Sequence, residues 1–261
     1  MNCINCGAES SSPYCPGCGQ QNPPKKIKFL NLYHDFQSRI YGFDGMFPRT
    51  LRDLTLRPGV VAAEYIKGNR MKYNGPVGYF FLMITVFLLL LSLMEVSFYD
   101  LIVKPSQITP IKENSGIEKF MKLFSDWITD NMKIFSFLII PFTVMASRIS
   151  FRKSGLNMLE HSVMVFYIQG HVYWLSILSL FIYKFTGLNP IRSFQPLVVL
   201  VLYGVGCSQL FSYQDKTKGF FKGVGVYVIG LLFFLIFFLV AGAVYIYSHP
   251  EYLEMIRPKN N

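Results

Sequence analysis

Five stretches of this chain run for roughly the thickness of a bilayer with almost no charge, and nothing else in it limits the fold as strongly. The first, Val77 to Met94, contains no charged residue. About 17 to 25 mostly apolar residues are needed to span a membrane as a helix. In hydrocarbon the backbone must satisfy its own hydrogen bonds, so such a run is read as helix. The second, Ile134 to Ser147, carries Pro141 and is read as a short kinked span, with a re-entrant segment as the alternative. The remaining three are His161 to Tyr183, Phe194 to Phe211 and Val224 to Tyr247. Charged residues make up 15% of the chain and the mean hydropathy is +0.35, whereas soluble domains carry about 25% charge. The expected fold class is an all-α polytopic membrane protein of about five transmembrane helices, with residues 77–247 as the transmembrane domain.

Ahead of the spans stand two cysteine pairs, Cys3-Ile4-Asn5-Cys6-Gly7 and Cys15-Pro16-Gly17-Cys18-Gly19. Two CxxC pairs supply four thiolates, enough to close a tetrahedral shell around one Zn2+ with no open position. The expectation is one structural zinc held by Cys3, Cys6, Cys15 and Cys18 in a small ribbon over residues 1–21. Surface disulfides or free thiols are the alternative. Gly7 and Gly19 follow the second cysteine of each pair, where the turn around the metal favours positive φ. The eight residues from Gly7 to Tyr14 leave almost no core, so the ribbon's fold depends on the metal.

Residues 22–76 form a linker and a basic juxtamembrane region. Asn22-Pro23-Pro24 blocks helix continuation from the ribbon. Phe29, Leu32, Tyr33, Phe36 and Ile40 then recur at helical spacing, which predicts an amphipathic helix from Lys28 to Tyr41. Thr50 to Leu56 and Val60 to Ile66 are read as further short helices, the second opened by Pro58 and stopped by Gly68. Lysine and arginine concentrate before the first span, after the second (Arg148, Arg152, Lys153) and after the fourth (Lys216, Lys218, Lys222). That alternation predicts a cytoplasmic N-terminus and an external tail over 248–261. It also keeps the thiolates in a reducing compartment. Between Glu118 and Met132 an apolar stripe predicts an interfacial helix on the external face, with a partner-binding groove as the alternative.

The formal charge of +10 admits anionic lipid or nucleic acid as partner. Met1 to Gln21 contains no lysine or arginine, so the ribbon lacks the cations that neutralise phosphates, and nucleic acid is not expected. The cations instead gather with aromatics just before the first span. Arg57, Arg70, Lys72 and Tyr73 are candidate contacts for anionic headgroups, with an anion also favoured by the free amides of the helix opening near Pro58. Plain membrane anchoring is the alternative.

At this point the chain resembles a family of bacterial multi-pass membrane proteins of unknown function, with an N-terminal CxxCG and YCxxCGQ ribbon followed by a PG, Y, G, R, Y, P signature. The matching residues are Cys3, Cys6, Gly7, Tyr14, Cys15, Cys18, Gly19 and Gln20, then Pro58, Gly59, Tyr65, Gly68, Arg70, Tyr73 and Pro76. The resemblance covers about the first third of the chain. It implies the bacterial cytoplasmic (inner) membrane as location and brings no activity.

Within the third span, Gln169 and His171 are the candidate intramembrane polar site; interhelical packing contacts are the alternative reading. His161 and His171 stand about 15 Å apart along one helix, too far to share a metal. Cys207 is read as a small buried residue, and Gly223, Gly225 and Gly230 as points of close helix approach. The sequence contains no P-loop, GxSxG or HExxH. The expected function is therefore noncatalytic: a membrane-held zinc ribbon that docks an unknown cytoplasmic protein. The alternative is a small-solute or lipid transporter with its pathway near Gln169 and His171.

Overall fold

The computed structural model describes residues 7–9, 11–17, 45–69, 72–97, 101, 127–211 and 215–248. The chain divides into two units, Met1–Phe47 and Pro48–Asn261. In the first, Gly7 has φ 74, the turn conformation anticipated after Cys6, and Cys15 is buried. Cys3, Cys6, Cys18 and Gly19 lie outside the described residues, as do Arg70, the helix expected over 28–41 and the tail over 249–261. Among the described residues no group of three or more His, Cys, Asp or Glu could hold a metal ion.

The described elements are helices: α1 Met46–Leu56, α2 Pro58–Ile66, α3 Pro76–Leu93, α4 Met132–Ser150, α5 Met158–Thr186, α6 Pro190–Ser193, α7 Gln195–Leu210 and α8 Lys216–Ser248. Proline opens α2 and α3, where its missing N–H is one that an α-helix leaves unpaired. Beyond α2, Gly68 turns the chain at φ 101, as the sequence predicts. A full capping box starts α5: Asn157 accepts from the Glu160 N–H at 2.9 Å while Glu160 Oε2 accepts from the Asn157 N–H at 2.7 Å. Its far end stops at Gly187, φ 73. Of the interfacial helix expected over 118–132, only 127–131 is described before α4, helical over 127–130 and turning at Asn131.

Among the described residues four helices, α3, α4, α5 and α8, are long and apolar enough to cross a membrane. Pro141 is accommodated within α4, which runs unbroken for 19 residues. The fourth apolar run forms α7, whose 16 residues reach about 24 Å, short of a hydrocarbon core of about 30 Å.

In the second unit α3 lies along α5, α4 along α5 and α8, and α7 along α8, with α2 resting on α7 and α5. Glycine sets the closest crossings. A Cβ on Gly170 would meet Phe80 Cα at 3.0 Å, one on Gly223 would press into Tyr203 O and meet Gly204 Cα at 2.9 Å, and one on Gly230 would meet Thr143 Cα at 2.8 Å. Two of the three glycines expected at close approaches are therefore there. Gly225 is not, for a Cβ on it has no neighbour within 4 Å. Ile84, Phe87, Leu91, Ile177 and Leu180 fill the core between α3 and α5 away from α2. The outer flanks, including Leu89, Leu93, Ile149, Leu235 and Leu239, leave large apolar side chains exposed, the surface that lipid would cover.

Candidate functional site

The densest polar cluster among the described residues is built where α1, α2 and the segment leading into α3 meet the bundle. Asp53 is 1% exposed, on the face of α1 that also buries Thr50 and Leu54. A carboxylate this buried is unstable without donors, and three converge on it. Arg52 Nε donates to Oδ1 at 2.9 Å, Arg57 Nη2 donates to Oδ2 at 3.0 Å, and the Tyr73 hydroxyl donates to Oδ2 at 2.8 Å. Burial pushes the Asp53 carboxyl up, but the hydrogen bonds from Arg52, Tyr73 and Arg57 and the Arg57 charge together hold it down at about 2. Tyr73 moves the other way, raised by its own burial and by donating to the carboxylate. One turn earlier, Thr50 Oγ1 accepts from the Asn74 N–H at 3.1 Å. Side chains of α1 thus bind residues 73 and 74 at two adjacent points.

Two of the residues read as headgroup contacts, Arg57 and Tyr73, therefore converge on an internal carboxylate. Lys72 pairs with Glu64 at 3.3 Å, and Asn69 donates to the same Glu64 oxygen at 2.8 Å. The hydrogen bond from Asn69, then that from Lys72, holds the Glu64 carboxyl below its usual range. At the start of α2, where an anion is expected, backbone N–H groups have acceptors within the protein. The Gly59 N–H donates to Gln209 Oε1 at 3.0 Å, and the N–H groups of Val60 and Val61 donate to Arg57 O. These amides are already satisfied, and Pro58 and Gly59 are buried. Gly59 is required by contact: a Cβ there would press into Gly206 O and stand 2.7 Å from Leu210 N.

A second clasp holds α1 to the spans. His171 of α5 lies with Nε2 3.0 Å from Thr55 Oγ1 and Nδ1 3.1 Å from the Tyr79 hydroxyl. Thr55 gives its only hydroxyl proton to Leu51 O at 2.9 Å. It must therefore accept from His171 Nε2–H, which leaves Nδ1 to accept from Tyr79. A neutral imidazole in this tautomer has both nitrogens satisfied and joins α1, α3 and α5. Tyr167, one turn away, donates to Asn74 O at 2.6 Å and meets Tyr65 edge-on at 6.0 Å. His161 has a comparable setting, with Nδ1 2.8 Å from Ser147 Oγ.

Gln169, two residues from His171, faces elsewhere, as i,i+2 residues on a helix do. It lines a cavity of about 290 Å3 with Phe87, Tyr173, Ser176, Gln195 and Tyr227, and His171 is not among the lining residues. Gln195 donates to Ser176 Oγ at 2.7 Å, while its buried Oε1 has no hydrogen-bond partner among the described residues. The two residues read together in the sequence thus belong to different places. Cys207 is buried, as expected.

Sequence reasoning missed Asp53, Thr55 and Gln209. Asp53 had a signal available: it is the single acid among the arginines of Arg49 to Arg57. Thr55 and Gln209 had none, because their partners are 116 and 150 residues away.

No curated protein and no solved structure matches the chain. Residues 44–88, which hold α1, α2, the Asp53 cluster, Tyr79 and the first part of α3, match a family described as a protein of unknown function (DUF3667).

Proposed function

We propose that this chain is a noncatalytic multi-pass protein of the bacterial cytoplasmic membrane that presents an N-terminal structural zinc ribbon to the cytoplasm as a docking or assembly module. Cys3, Cys6, Cys15 and Cys18 hold one Zn2+, five helices anchor the chain, and an unknown cytoplasmic protein is the partner. Anionic headgroups surround the juxtamembrane cations, and nucleic acid plays no part. The observation that carries this reading is the fastening of the juxtamembrane helices. Several described polar groups beside the first span are engaged in pairs: Arg57 and Tyr73 on Asp53, Thr55 and Tyr79 on His171, Gln209 on Gly59. Such an arrangement suits fixing a segment in place. The lysine and arginine distribution supports the orientation, and the paired CxxC spacing supports the metal.

The test is purification in mild detergent of wild type beside Cys15→Ser/Cys18→Ser, with zinc and copurifying proteins quantified together. The docking reading expects about one zinc per chain in wild type, and loss of both zinc and a specific partner from a variant that still inserts. Loss of zinc with unchanged partners refutes it.

A second reading, small-solute or lipid transport, draws on the cavity beside Gln169. Its lining is apolar with neutral amide and hydroxyl groups, which suits an uncharged solute. In this reading the pathway runs past Gln169 and bypasses His171. Solute uptake by vesicles, lost in Gln169→Leu and kept in His171→Gln, would favour it over docking.

A further inference from the structure

The cavity of about 290 Å3 beside Gln169 draws its walls from every helix from α3 to α8, and its polar groups do not all close on one another. Ser176 gives its hydroxyl proton to Val172 O at 2.9 Å and accepts from Gln195 Nε2 at 2.7 Å, and Tyr173 shares a hydrogen bond with Ser136. By contrast, the Gln169 amide and the Tyr227 hydroxyl have no hydrogen-bond partner among the described residues. Both side chains are half-buried and line the cavity from different helices, α5 and α8. An amide or hydroxyl left unpaired inside an apolar bundle is unfavourable. Both groups are therefore stabilised when a molecule that can bond to them enters. Each can donate as well as accept.

The rest of the lining limits what that molecule is. No Asp, Glu, Lys, Arg or His lines the cavity, so an ion would enter without a counter-charge and at high cost. The walls are aromatic and aliphatic: Phe87 packs on Tyr173 with ring centroids 5.7 Å apart, Tyr227 stacks on Tyr203 at 5.2 Å, and Ile191 and Val199 are buried beside them. An apolar cavity of about 150 Å3 holds benzene, so this one has room for a substituted ring or for several methylenes of a chain. We infer that the cavity binds an uncharged amphiphile, an apolar body carrying a hydroxyl or carboxamide that bonds to Gln169 and Tyr227. The inference deepens the transport reading above and rests on its cavity, but it concerns binding and requires no passage across the membrane. A neutral lipid with a free hydroxyl and a water-soluble amide carry the same chemistry.

The test uses the full chain in phosphatidylcholine nanodiscs with a diazirine-bearing decanol, crosslinked by light and mapped by peptide mass spectrometry. Saturable labelling of peptides that hold residues 169–176, 195–199 or 227 is expected. One hydrogen bond is worth about 1 kcal/mol, or about fivefold in affinity. Unlabelled decanol should therefore compete about fivefold better than decyl methyl ether, which cannot donate. Competition by dioleoylglycerol identifies a membrane lipid as the source; competition by benzamide and not by dioleoylglycerol identifies a soluble molecule. Gln169→Leu and Tyr227→Phe should each weaken labelling about fivefold. Because neither polar group bonds to a described residue, neither substitution should lower the unfolding midpoint of the unliganded chain. Tyr247→Phe, which removes an exposed hydroxyl of α8 outside the cavity, should change affinity less than about twofold. Absence of saturable labelling, equal competition by the ether, or an equal loss on Tyr247→Phe overturns the inference. A lowered midpoint in Gln169→Leu and Tyr227→Phe also overturns it, by assigning both groups to internal packing. Binding of the expected pattern without vesicle uptake refutes transport and leaves the site standing; uptake that depends on Gln169 without saturable labelling does the reverse.

Discussion

Replacing Asp53 by asparagine keeps the shape of the cluster and removes its charge. The substituted amide can still accept through its one oxygen, but its NH2 must face a donor, either the Arg52 guanidinium or the Arg57–Tyr73 pair. A carboxyl held at about 2 against an ordinary 3.8 is worth up to roughly 2 kcal/mol. Solvent screening reduces this, because the Arg52 and Arg57 side chains are 65% and 47% exposed. The buried Tyr73 hydroxyl is not screened in this way, and a bond from it to a charged group is worth about 1.5 to 3 kcal/mol. We therefore expect Asp53→Asn to destabilise the docking of α1 by about 2 kcal/mol. The assay is hydrogen exchange in detergent, comparing amides of 50–56 with those of 164–177. Protection should fall about 30-fold in α1 and stay constant in α5, since the cluster secures the segment and not the span. A cycle with Tyr73→Phe should return a coupling of at least about 1 kcal/mol. Because the folded carboxyl is depressed, its contribution is complete above the unfolded value, at about pH 4, and disappears as pH falls through about 2. Equal protection in wild type and Asp53→Asn at pH 7, with zero coupling to Tyr73, would refute the argument.

Gly223→Ala should destabilise the α7–α8 crossing by at least about 2 kcal/mol, because backbone of α7 stands where the new Cβ must go, whereas Gly225→Ala should be neutral or slightly stabilising; denaturant midpoints in mixed micelles compare them. Thr55→Val removes the acceptor of His171 Nε2–H and should cost about 1 to 3 kcal/mol in the same titration, with Thr55→Ser close to wild type. Gly59→Ala should detach α2 from α7, read as a loss of exchange protection over 58–66 that exceeds any change in α8.

The apolar runs give the helices their places because a bilayer-length stretch admits little besides helix. Proline at 58 and 76 and glycine at 68 mark boundaries through local sterics, which sequence carries directly. The signature residues are visible in the sequence and their use is not. Tyr65, Tyr73 and Gly59 each meet a partner, Tyr167, Asp53 or Gly206, that only the packed bundle supplies. Gln169 and His171 look like one site because they are neighbours along the chain, although the helical rotation between them turns one to a cavity and the other to α1.

The three-way contact at His171 also bears on biogenesis. Its nitrogens are satisfied by Thr55 from α1 and Tyr79 from α3, so α5 arriving in the bilayer alone would carry an imidazole with no partner on either side. Residues 46–93 are synthesised before α5 leaves the ribosome, and they form the receptor that α5 needs. A chain beginning after residue 57 would lack Thr55 as well as Asp53. It should insert slowly and be cleared by membrane proteases, and coexpression of the missing segment should rescue it in trans.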